Sequence, residues 1–450
     1  MQAMTMPGLR RIYVPCGTKF GKSISASASL ANAAIQRTGQ AWRWIAPYYD
    51  QANIGMDYLK GMMPPAPHTE FIDGKNLCRI PFLKSKIEFK HAQKATALEG
   101  AGIAGQIWDE AAKIKFDAIA SGRTTMTFTK GPEMYISTPM GKGWYYREAM
   151  EARDKMRWAI KNGKPLEYAF ITARTIDNPF IDPKVVQENY ETLPNRLFRQ
   201  FFLAEFVDDG AVFIGINDCI AGAELEMYGA VQRYIVPEAQ DLEVAIGVDW
   251  AKHGDFTTFN AFEIGSGRKP KQAGVQRFHG ISYVEQIKEL YNFCKMFKKV
   301  RIIFHDRTGV GDAIDDMLAQ LPYPVEGIVF SQASKSNMVS MFMLALEKKE
   351  VELLNWPEQT KELEAYTVVT NELGNARYSA PQGLHDDIVS SLILVNAAIQ
   401  EYGVDFTLSF LEDLPQRKQN VQDWYRDIMD EDDTDPSTHL FSWKADTWTF

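Results

Sequence analysis

The sequence predicts an α/β protein with two domains, each built on its own β-sheet, the first mainly parallel and the second mixed. Strand-like and helix-like runs alternate through the first half, whereas the second half begins with a three-stranded meander. The chain has 450 residues, about three times the ~150-residue prior for one domain. Hydrophobic residues make up 45% and charged residues 24% of the chain, values that are typical of globular proteins and exclude a largely disordered one.

The first half, residues 1–205, alternates apolar strand-like runs with amphipathic helix-like runs. This alternation predicts a largely parallel sheet covered by helices. Three prolines at positions 64, 65 and 67 break the chain between two such units. The predicted strands are 11–16, 42–47, 86–90, 104–109 and 133–138, and the predicted helices are 23–37 and 49–62.

The second half predicts a different topology. Three strand-like runs separated by short glycine-containing turns indicate an antiparallel meander, and helices then alternate with further strands. This order is that of the ribonuclease H-like fold, which we expect to cover residues 241–405 after a connector at 206–240. The strands are 244–249, 257–264, 274–279, 301–306 and 325–330, and the helices are 283–297, 311–320 and 386–399.

The remaining features exclude several other classes of protein. No run approaches the ~18 apolar residues of a membrane helix, and residues 1–11 lack the apolar core of a signal peptide. The four cysteines have no CxxC spacing, which argues against a disulfide framework or a zinc ribbon and suits a reducing cytoplasm. The tail, 406–450, is polar and acidic, and we expect it to be flexible.

The net charge of −9 is unevenly distributed. Residues 1–205 carry 28 Lys and Arg against 19 Asp and Glu, residues 206–405 carry 17 against 29, and residues 406–450 carry 4 against 10. A basic first half suits contact with a polyanion, and an acidic second half suits divalent cations. A random fluctuation of surface charge would give the same numbers, so the motifs have to decide.

A phosphate-binding loop is indicated between the first strand and the first helix. Gly21, Lys22 and Ser23 match the end of the P-loop pattern, whereas Cys16 occupies its first glycine position and Gly17 follows one residue later. Backbone N–H groups of such a loop surround phosphates at a helix N-terminus. Lys22 would contact the β- and γ-phosphates of ATP, and the Ser23 hydroxyl would bind Mg²⁺. A chance Gly-Lys-Ser in a loop remains the alternative.

Two carboxylates follow a buried strand 87 residues after Lys22. There Asp109 would order the magnesium shell, and Glu110 would act as the general base toward the attacking water. Ser137 and Thr138 end another strand, where small hydroxyl side chains would sense the γ-phosphate. The alternatives are a surface acidic turn and a Ser-Thr-Pro turn, and the combination of the three motifs favours an ATPase.

Carboxylates also recur at element ends in the second half. Asp249 ends the first strand of the meander, Asp306 ends the next central strand, and Asp386 and Asp387 open the last long helix. In a ribonuclease H-like sheet these groups converge and hold two divalent ions ~3.5–4 Å apart. Oxygen ligands favour Mg²⁺ or Mn²⁺. Asp255 would lie at the rim. Alternatively, each residue is a separate cap or turn residue.

These motifs, taken in order, resemble the large subunit of the terminase of tailed bacteriophages and prophages. The resemblance implies an N-terminal ATPase that pumps double-stranded DNA into a procapsid and a C-terminal nuclease that cuts concatemeric DNA. It also implies a small terminase subunit and a portal protein as partners, a ring on the portal, a monomer in solution, and the bacterial cytoplasm as location. The segments that match are 17–23, 98–112, 136–141, 178–180, 198–208, 247–249, 306–311 and 385–389.

The resemblance also assigns roles to individual residues. Arg123 falls at the position of the family's arginine finger, which acts on a neighbouring subunit, although the flanking residues match poorly. The nucleotide-binding positions are Gly17, Lys19, Gly21, Lys22, Ser23, Asp109 and Thr138, with Glu110 as the base and Ser137 beside Thr138 in the coupling motif. The metal-binding and catalytic positions of the nuclease are Asp249, Asp306 and Asp386, with Asp387 and Asp255 nearby.

The sequence departs from the family pattern at several positions. Cys16 replaces the first P-loop glycine, Thr18-Lys19 stands where an arginine is common, and Glu99 stands where the family often has arginine. Gln2 is the one candidate for the adenine-binding glutamine segment, so the natural chain is expected to start upstream of Met1.

Two other functions remain open from the sequence. One is a nucleic-acid-stimulated ATPase or helicase whose second domain binds without catalysis. The acidic charge of residues 206–405 disfavours such a binding module. The other is a structural virion or portal-associated protein with degenerate motifs, which ATP hydrolysis by the purified chain would exclude.

Overall fold

The structure is a computed structural model. It describes residues 3–100, 102–207, 210–251, 255–265, 269–308, 312–370, 376–381 and 384–402. Gln2, residues 309–311 of the motif after Asp306, and the tail at 406–450 lie outside the described residues.

The first half forms a sheet of eight strands in the order β3-β4-β5-β2-β6-β7-β1-β8. All neighbours from β5 to β8 along this order pair in parallel, and β3 and β4 form an antiparallel edge. The mainly parallel sheet predicted from the sequence is confirmed. The strands are β1 (Arg11–Pro15), β2 (Ala41–Ala46), β3 (Glu70–Ile72), β4 (Leu77–Ile80), β5 (Ser85–His91), β6 (Gly105–Asp109), β7 (Glu133–Ser137) and β8 (Tyr168–Phe170).

Helices cover both faces of this sheet. On one face, Leu30 of the first helix and Met56 of the second belong to the same buried cluster as Trp44 of β2. On the other face, Ile119 and Tyr145 of the third and fourth helices pack with Tyr135, Trp108 and their neighbours. The helices are α1 (Lys22–Gln36), α2 (Tyr49–Met62), α3 (Phe116–Thr124), α4 (Trp144–Lys161), α5 (Pro183–Thr192) and α6 (Asn195–Phe201).

The second half is built on a mixed sheet of six strands in the order β11-β14-β13-β12-β15-β16. Strands β11 to β12 along this order are antiparallel, whereas β12, β15 and β16 are parallel. The predicted meander and the two following strands are present. The strands from 210 onward are β9 (Gly210–Ala211), β10 (Ile220–Ala221), β11 (Val231–Ile235), β12 (Glu243–Asp249), β13 (Thr257–Glu263), β14 (Gln272–Phe278), β15 (Lys299–Asp306), β16 (Val325–Ile328), β17 (Leu353–Leu354), β18 (Thr367–Thr370) and β19 (Ala376–Ser379).

A long buried helix positions the end of the chain against this sheet. It packs on β12 so closely that a Cβ at Gly247 would lie 2.1 Å from the Ser391 carbonyl oxygen, so only glycine fits there. The opposite face is covered by helices that bury Leu290 and Ile314. The helices are α7 (Ile216–Cys219), α8 (Tyr283–Cys294), α9 (Asp312–Leu318), α10 (Gln332–Glu347), α11 (Pro357–Ala365) and α12 (Asp387–Tyr402).

The structure differs from the sequence-based expectation mainly at sheet edges and in the connector. Residues 231–235, expected in a connector, form the strand β11 that pairs with β14, so the second sheet begins earlier than position 241. Edge strands β3, β4 and β8 are short, and short strands leave little alternation for a sequence pattern to reveal. Among the described residues, no helix is long and apolar enough to cross a lipid bilayer.

Candidate functional sites

The P-loop runs from the end of β1 to the start of α1. Gly21 has φ 100° and Lys19 has φ 57°, a left-handed backbone that curls the loop before the helix. Gly17 is the position that requires glycine for space, because a Cβ there would lie 2.6 Å from the Thr175 amide nitrogen. The shifted glycine of the sequence therefore has a structural reason, and Cys16 beside it is fully buried.

The side chains predicted to handle ATP lie together at one edge of the first sheet. Strands β1, β6 and β7 are parallel neighbours, so their carboxyl ends meet there. Lys22 Nζ donates a hydrogen bond to Thr138 Oγ1 at 3.0 Å and lies 3.5 Å from Glu110 Oε1. Ser23 Oγ donates to Asp109 Oδ1 at 3.2 Å. Five residues from three chain regions thus form one cluster.

Glu110 is held in an unusual backbone conformation between two lysines. Its φ is 48°, which is uncommon for a residue with a Cβ and is often associated with functional sites. Besides its contact with Lys22, its Oε2 atom lies 3.2 Å from Lys113 Nζ. The two cations offset the negative charge that a carboxylate must carry to act as a general base.

Burial raises the pKa of the neighbouring Asp109 to about 7, and the negative charge of Glu110 adds to this rise. A buried carboxylate beside a hydroxyl and a second carboxylate fits a magnesium ion, which would compensate the charge that the protein leaves unbalanced.

The predicted coupling motif contacts the segment that follows Glu110. Ser137 Oγ accepts a hydrogen bond from the Ala112 amide at 3.2 Å and donates one to the Thr138 carbonyl at 2.9 Å. Ser137 is fully buried. It therefore connects the strand that ends at Thr138, next to Lys22, with the turn after the proposed base.

Arg123 is placed differently from the expected arginine finger. It lies in α3, and its guanidinium points into its own subunit, where Nη1 donates to Glu148 Oε1 at 3.0 Å and Nε donates to the Tyr135 hydroxyl at 2.9 Å. Tyr13 also donates a hydrogen bond to Glu148. The side chain is 18% exposed. This geometry argues against a role on a neighbouring subunit, because the guanidinium is already engaged by internal partners.

We expect Arg123→Ala to destabilise the fold by about 3 kcal/mol, the lower end for breaking a buried ion pair, because Glu148 loses its charged partner. The matched control is Arg153→Ala in α4, an exposed residue paired with its neighbour Asp154, which should change stability by less than about 0.5 kcal/mol. Urea denaturation measures both. An unchanged midpoint for Arg123→Ala, together with lost ATP turnover in the assembled ring alone, would restore the finger role.

The acidic residues predicted in the second half line one open cavity of about 500 Å³. Asp249 and Asp306 end the parallel neighbours β12 and β15, and Asp386 and Asp387 lie at the start of α12. Asp255 lies on the same cavity. The structure thus brings all five carboxylates together, rather than leaving them as separate caps and turn residues.

The carboxylates repel one another in the absence of a cation. Burial raises the pKa of Asp249 well above its ordinary value, and the charges of Asp387, Asp306 and Asp386 add to the rise. Burial also raises the pKa of Asp306 and that of Asp387, the latter to about 6, although Arg277 opposes the rise. Such a cluster of oxygen ligands with excess negative charge fits divalent cations of the Mg²⁺ or Mn²⁺ type.

Sequence reasoning missed three other side chains of this cavity. His385 Nδ1 lies 3.3 Å from Asp255 Oδ1 and 3.6 Å from Asp387 Oδ2, and the ligand atoms of these residues lie within 4.8 Å of one another. An imidazole beside two aspartates was a usable signal. Lys335 Nζ lies 3.8 Å from Asp386 Oδ2. Neither Lys335 nor Arg277 had a signal in the sequence, because both come from distant elements with ordinary local patterns.

Comparison with known proteins supports the resemblance seen in the motifs. No protein-family model matches the chain. Curated relatives in Thermus phage G20c and Thermus virus P23-45 are both described as "Terminase, large subunit", and each is 27% identical over 93% of this chain and 90% of the relative. The large terminase of another thermophilic bacteriophage has a similar fold, with a TM-score of 0.52 at 14% identity over 88% of this chain and 96% of its own. A structure of that protein in complex with ADP gives a TM-score of 0.51. The similarity of this chain to large terminase subunits, inferred from its motifs, is thereby confirmed.

Proposed function

We propose that this chain is the large subunit of a phage terminase that packages DNA, with an ATPase in residues 1–205 and a metal-dependent DNA endonuclease in residues 241–405. A connector at 206–240, part of which is strand β11, joins them, and a flexible acidic tail follows at 406–450. The convergence of Asp249, Asp306 and Asp386 on one cavity is the observation that carries the proposal, because it equips the second sheet for catalysis.

The ATPase half would use its clustered side chains in a conventional division of labour. Lys22 supplies positive charge to the β- and γ-phosphates of ATP, and its hydrogen bond to Thr138 places the coupling strand next to the transferred group. Ser23 and Asp109 would hold Mg²⁺, which when bound offsets charge on the phosphates. Glu110 accepts the proton of the attacking water, and the neighbouring Lys22 offsets the negative charge that this role requires.

The nuclease half would cut DNA through its carboxylate cluster. Asp249, Asp306 and Asp386 would hold two Mg²⁺ or Mn²⁺ ions, with Asp387 and Asp255 at the side of the cavity. When bound, such a pair of ions activates a water and stabilises the leaving oxygen of the phosphodiester. The protein's own contribution is the rigid frame, since two parallel strand ends and one helix start set the positions of the carboxylates.

The proposed partners follow from the resemblance. They are double-stranded DNA, a small terminase subunit and the portal protein of a procapsid, on which the chain would form a homo-oligomeric ring while remaining a monomer in solution. The bacterial cytoplasm is the proposed location. The basic charge of residues 1–205 supports contact with the DNA backbone.

The alternative is a DNA-stimulated ATPase or helicase with a non-catalytic second domain. It predicts no metal-dependent cutting, so incubating the full chain with plasmid DNA and Mn²⁺ or Mg²⁺ separates the two functions. The proposed function requires cleavage that depends on the cation, together with ATP hydrolysis by the same preparation. Intact plasmid in both cations, at an enzyme concentration that hydrolyses ATP, would favour the alternative.

Protons and cations should compete for the nuclease cavity. The folded-state pKa values of Asp249 and Asp387 are raised, so folded protein binds protons more tightly than unfolded protein does, and its metal-free stability falls as pH rises through this range. Bound cations should reverse that loss. We expect Mn²⁺ to stabilise the chain by about 1.4 kcal/mol more at about pH 7 than at about pH 5. Thermal unfolding with and without Mn²⁺ measures this difference, and equal stabilisation at both pH values would contradict it.

A further inference from the structure

A buried arginine and glutamate lie behind the carboxylate cavity. Arg277 in β14 and Glu362 in α11 have side-chain exposures of 7% and 9%, and Arg277 Nη2 donates to Glu362 Oε1 at 2.7 Å. The same Nη2 atom lies 3.7 Å from Asp387 Oδ2. The guanidinium therefore lies between two carboxylates, of which one belongs to the proposed metal cavity.

This pair also holds the start of α12. Glu362 Oε2 accepts a hydrogen bond from the Ile388 amide at 2.9 Å, so the residue after Asp387 is tied to the pair through the backbone. On the other side, the Arg277 guanidinium carbon lies 3.9 Å from the centroid of the Phe256 ring. The Phe256 amide in turn approaches Asp387 Oδ2 at 3.4 Å. Arg277 is thus fixed on both sides, as a positioning group must be.

The sheet register explains why an arginine of β14 reaches the cavity. Asp249 pairs with Thr258, and Thr258 pairs with Arg277 on the next strand. Residues directly opposite each other on neighbouring strands project to the same face of the sheet, so Arg277 shares a face with Asp249. That face is the one on which α12 packs, since Ser391 of α12 contacts Gly247 of β12.

We propose that Arg277, paired with Glu362, is a positioning residue that orients Asp387 and the first turn of α12 for divalent-cation binding. This inference rests on the proposed nuclease function. Outer partners of metal ligands set the orientation of those ligands, and losing one typically costs about 10- to 100-fold in metal affinity or activity. The planar guanidinium can bridge two carboxylates at once, which the single ammonium of lysine does less well.

A purely electrostatic role for Arg277 predicts the opposite result. The positive charge repels a cation, so Arg277→Met alone would tighten metal binding if charge were its main effect. The double variant Arg277→Met with Glu362→Gln removes one charge of each sign and leaves no unpaired buried ion. The amide side chain introduced by Glu362→Gln retains an oxygen that accepts the Ile388 amide. A positioning role predicts weaker metal binding by both variants.

The test is calorimetric titration of the full chain with Mn²⁺ in the absence of nucleotide, with Asp306→Asn as the reference for heat that arises outside the cavity. We expect both Arg277 variants to bind Mn²⁺ about 10- to 100-fold more weakly than the unmodified chain. The Mn²⁺ concentration for half-maximal plasmid cleavage should rise accordingly. The matched control is Arg301→Met, which removes an exposed pair with Glu243 at the opposite end of the sheet and should leave the affinity unchanged.

Unchanged or tighter Mn²⁺ binding by the folded double variant would overturn the inference. Should that variant fail to fold, Arg277→Lys keeps the buried charge and still has to weaken Mn²⁺ binding severalfold, so unaltered affinity would overturn it equally. Failure of the proposed function looks different, because the unmodified chain itself would then leave plasmid DNA intact in the presence of Mn²⁺.

Discussion

Asp306→Asn is expected to abolish metal-dependent DNA cleavage and to leave ATP hydrolysis unchanged. The substitution preserves the volume of the side chain and an oxygen that accepts the Thr308 amide, which lies 2.7 Å from Asp306 Oδ1. It removes one negative charge from the cavity that Asp306 shares with Asp249 and Asp386, so one cation should be lost. Cleavage should fall by more than the ~100-fold that loss of an outer partner costs.

The design includes a matched control at the other end of the same sheet. Asp241 is exposed and lies just before β12, far along the strand from Asp249, so Asp241→Asn should cut plasmid at the unmodified rate. ATP turnover, measured on the same preparations, reports whether the first sheet is intact. Metal-dependent cutting by Asp306→Asn at the unmodified rate would remove this residue from the cation site.

Glu110→Gln should lower ATP turnover by about 10²-fold or more while nucleotide binding persists. The variant keeps the shape of the side chain and loses the proton-accepting oxygen next to Lys22. Lys22→Ala should abolish turnover and also weaken ATP binding, because it removes the charge that contacts the phosphates and the partner of Thr138. The two variants therefore separate chemistry from binding.

Turnover and fluorescent-nucleotide binding measure both effects, with Glu167→Gln as the control. Glu167 is exposed and precedes β8 at the amino end of the sheet, away from the cluster at the carboxyl ends. If Glu110→Gln hydrolysed ATP like the unmodified chain, Glu110 would not be the general base, and Asp109 would be the next residue to test.

Local sequence signals identified much of both candidate sites because strand ends are marked by their composition. Apolar runs that stop at Asp109 and Asp306 indicate buried strands with carboxylates at the carboxyl end. Parallel pairing then brings such ends together, so a linear pattern predicts a cluster in space. The same logic failed for Arg123. Its position relative to family motifs suggested a finger, but residues 12 and 25 positions further along the chain, Tyr135 and Glu148, engage its guanidinium.

What the amino-acid pattern establishes for this protein is its α/β class, the P-loop, and the carboxylates at the ends of strands and helix. Hydrophobic periodicity and element-end chemistry are local properties, and so they are legible in sequence. The folded arrangement alone assigns β11 to the second sheet and brings Arg277, Glu362 and Asp387 together, although the first two stand 85 positions apart in the chain. Strand order and buried ion pairs depend on long-range pairing and desolvation, for which no short stretch of sequence holds a signal.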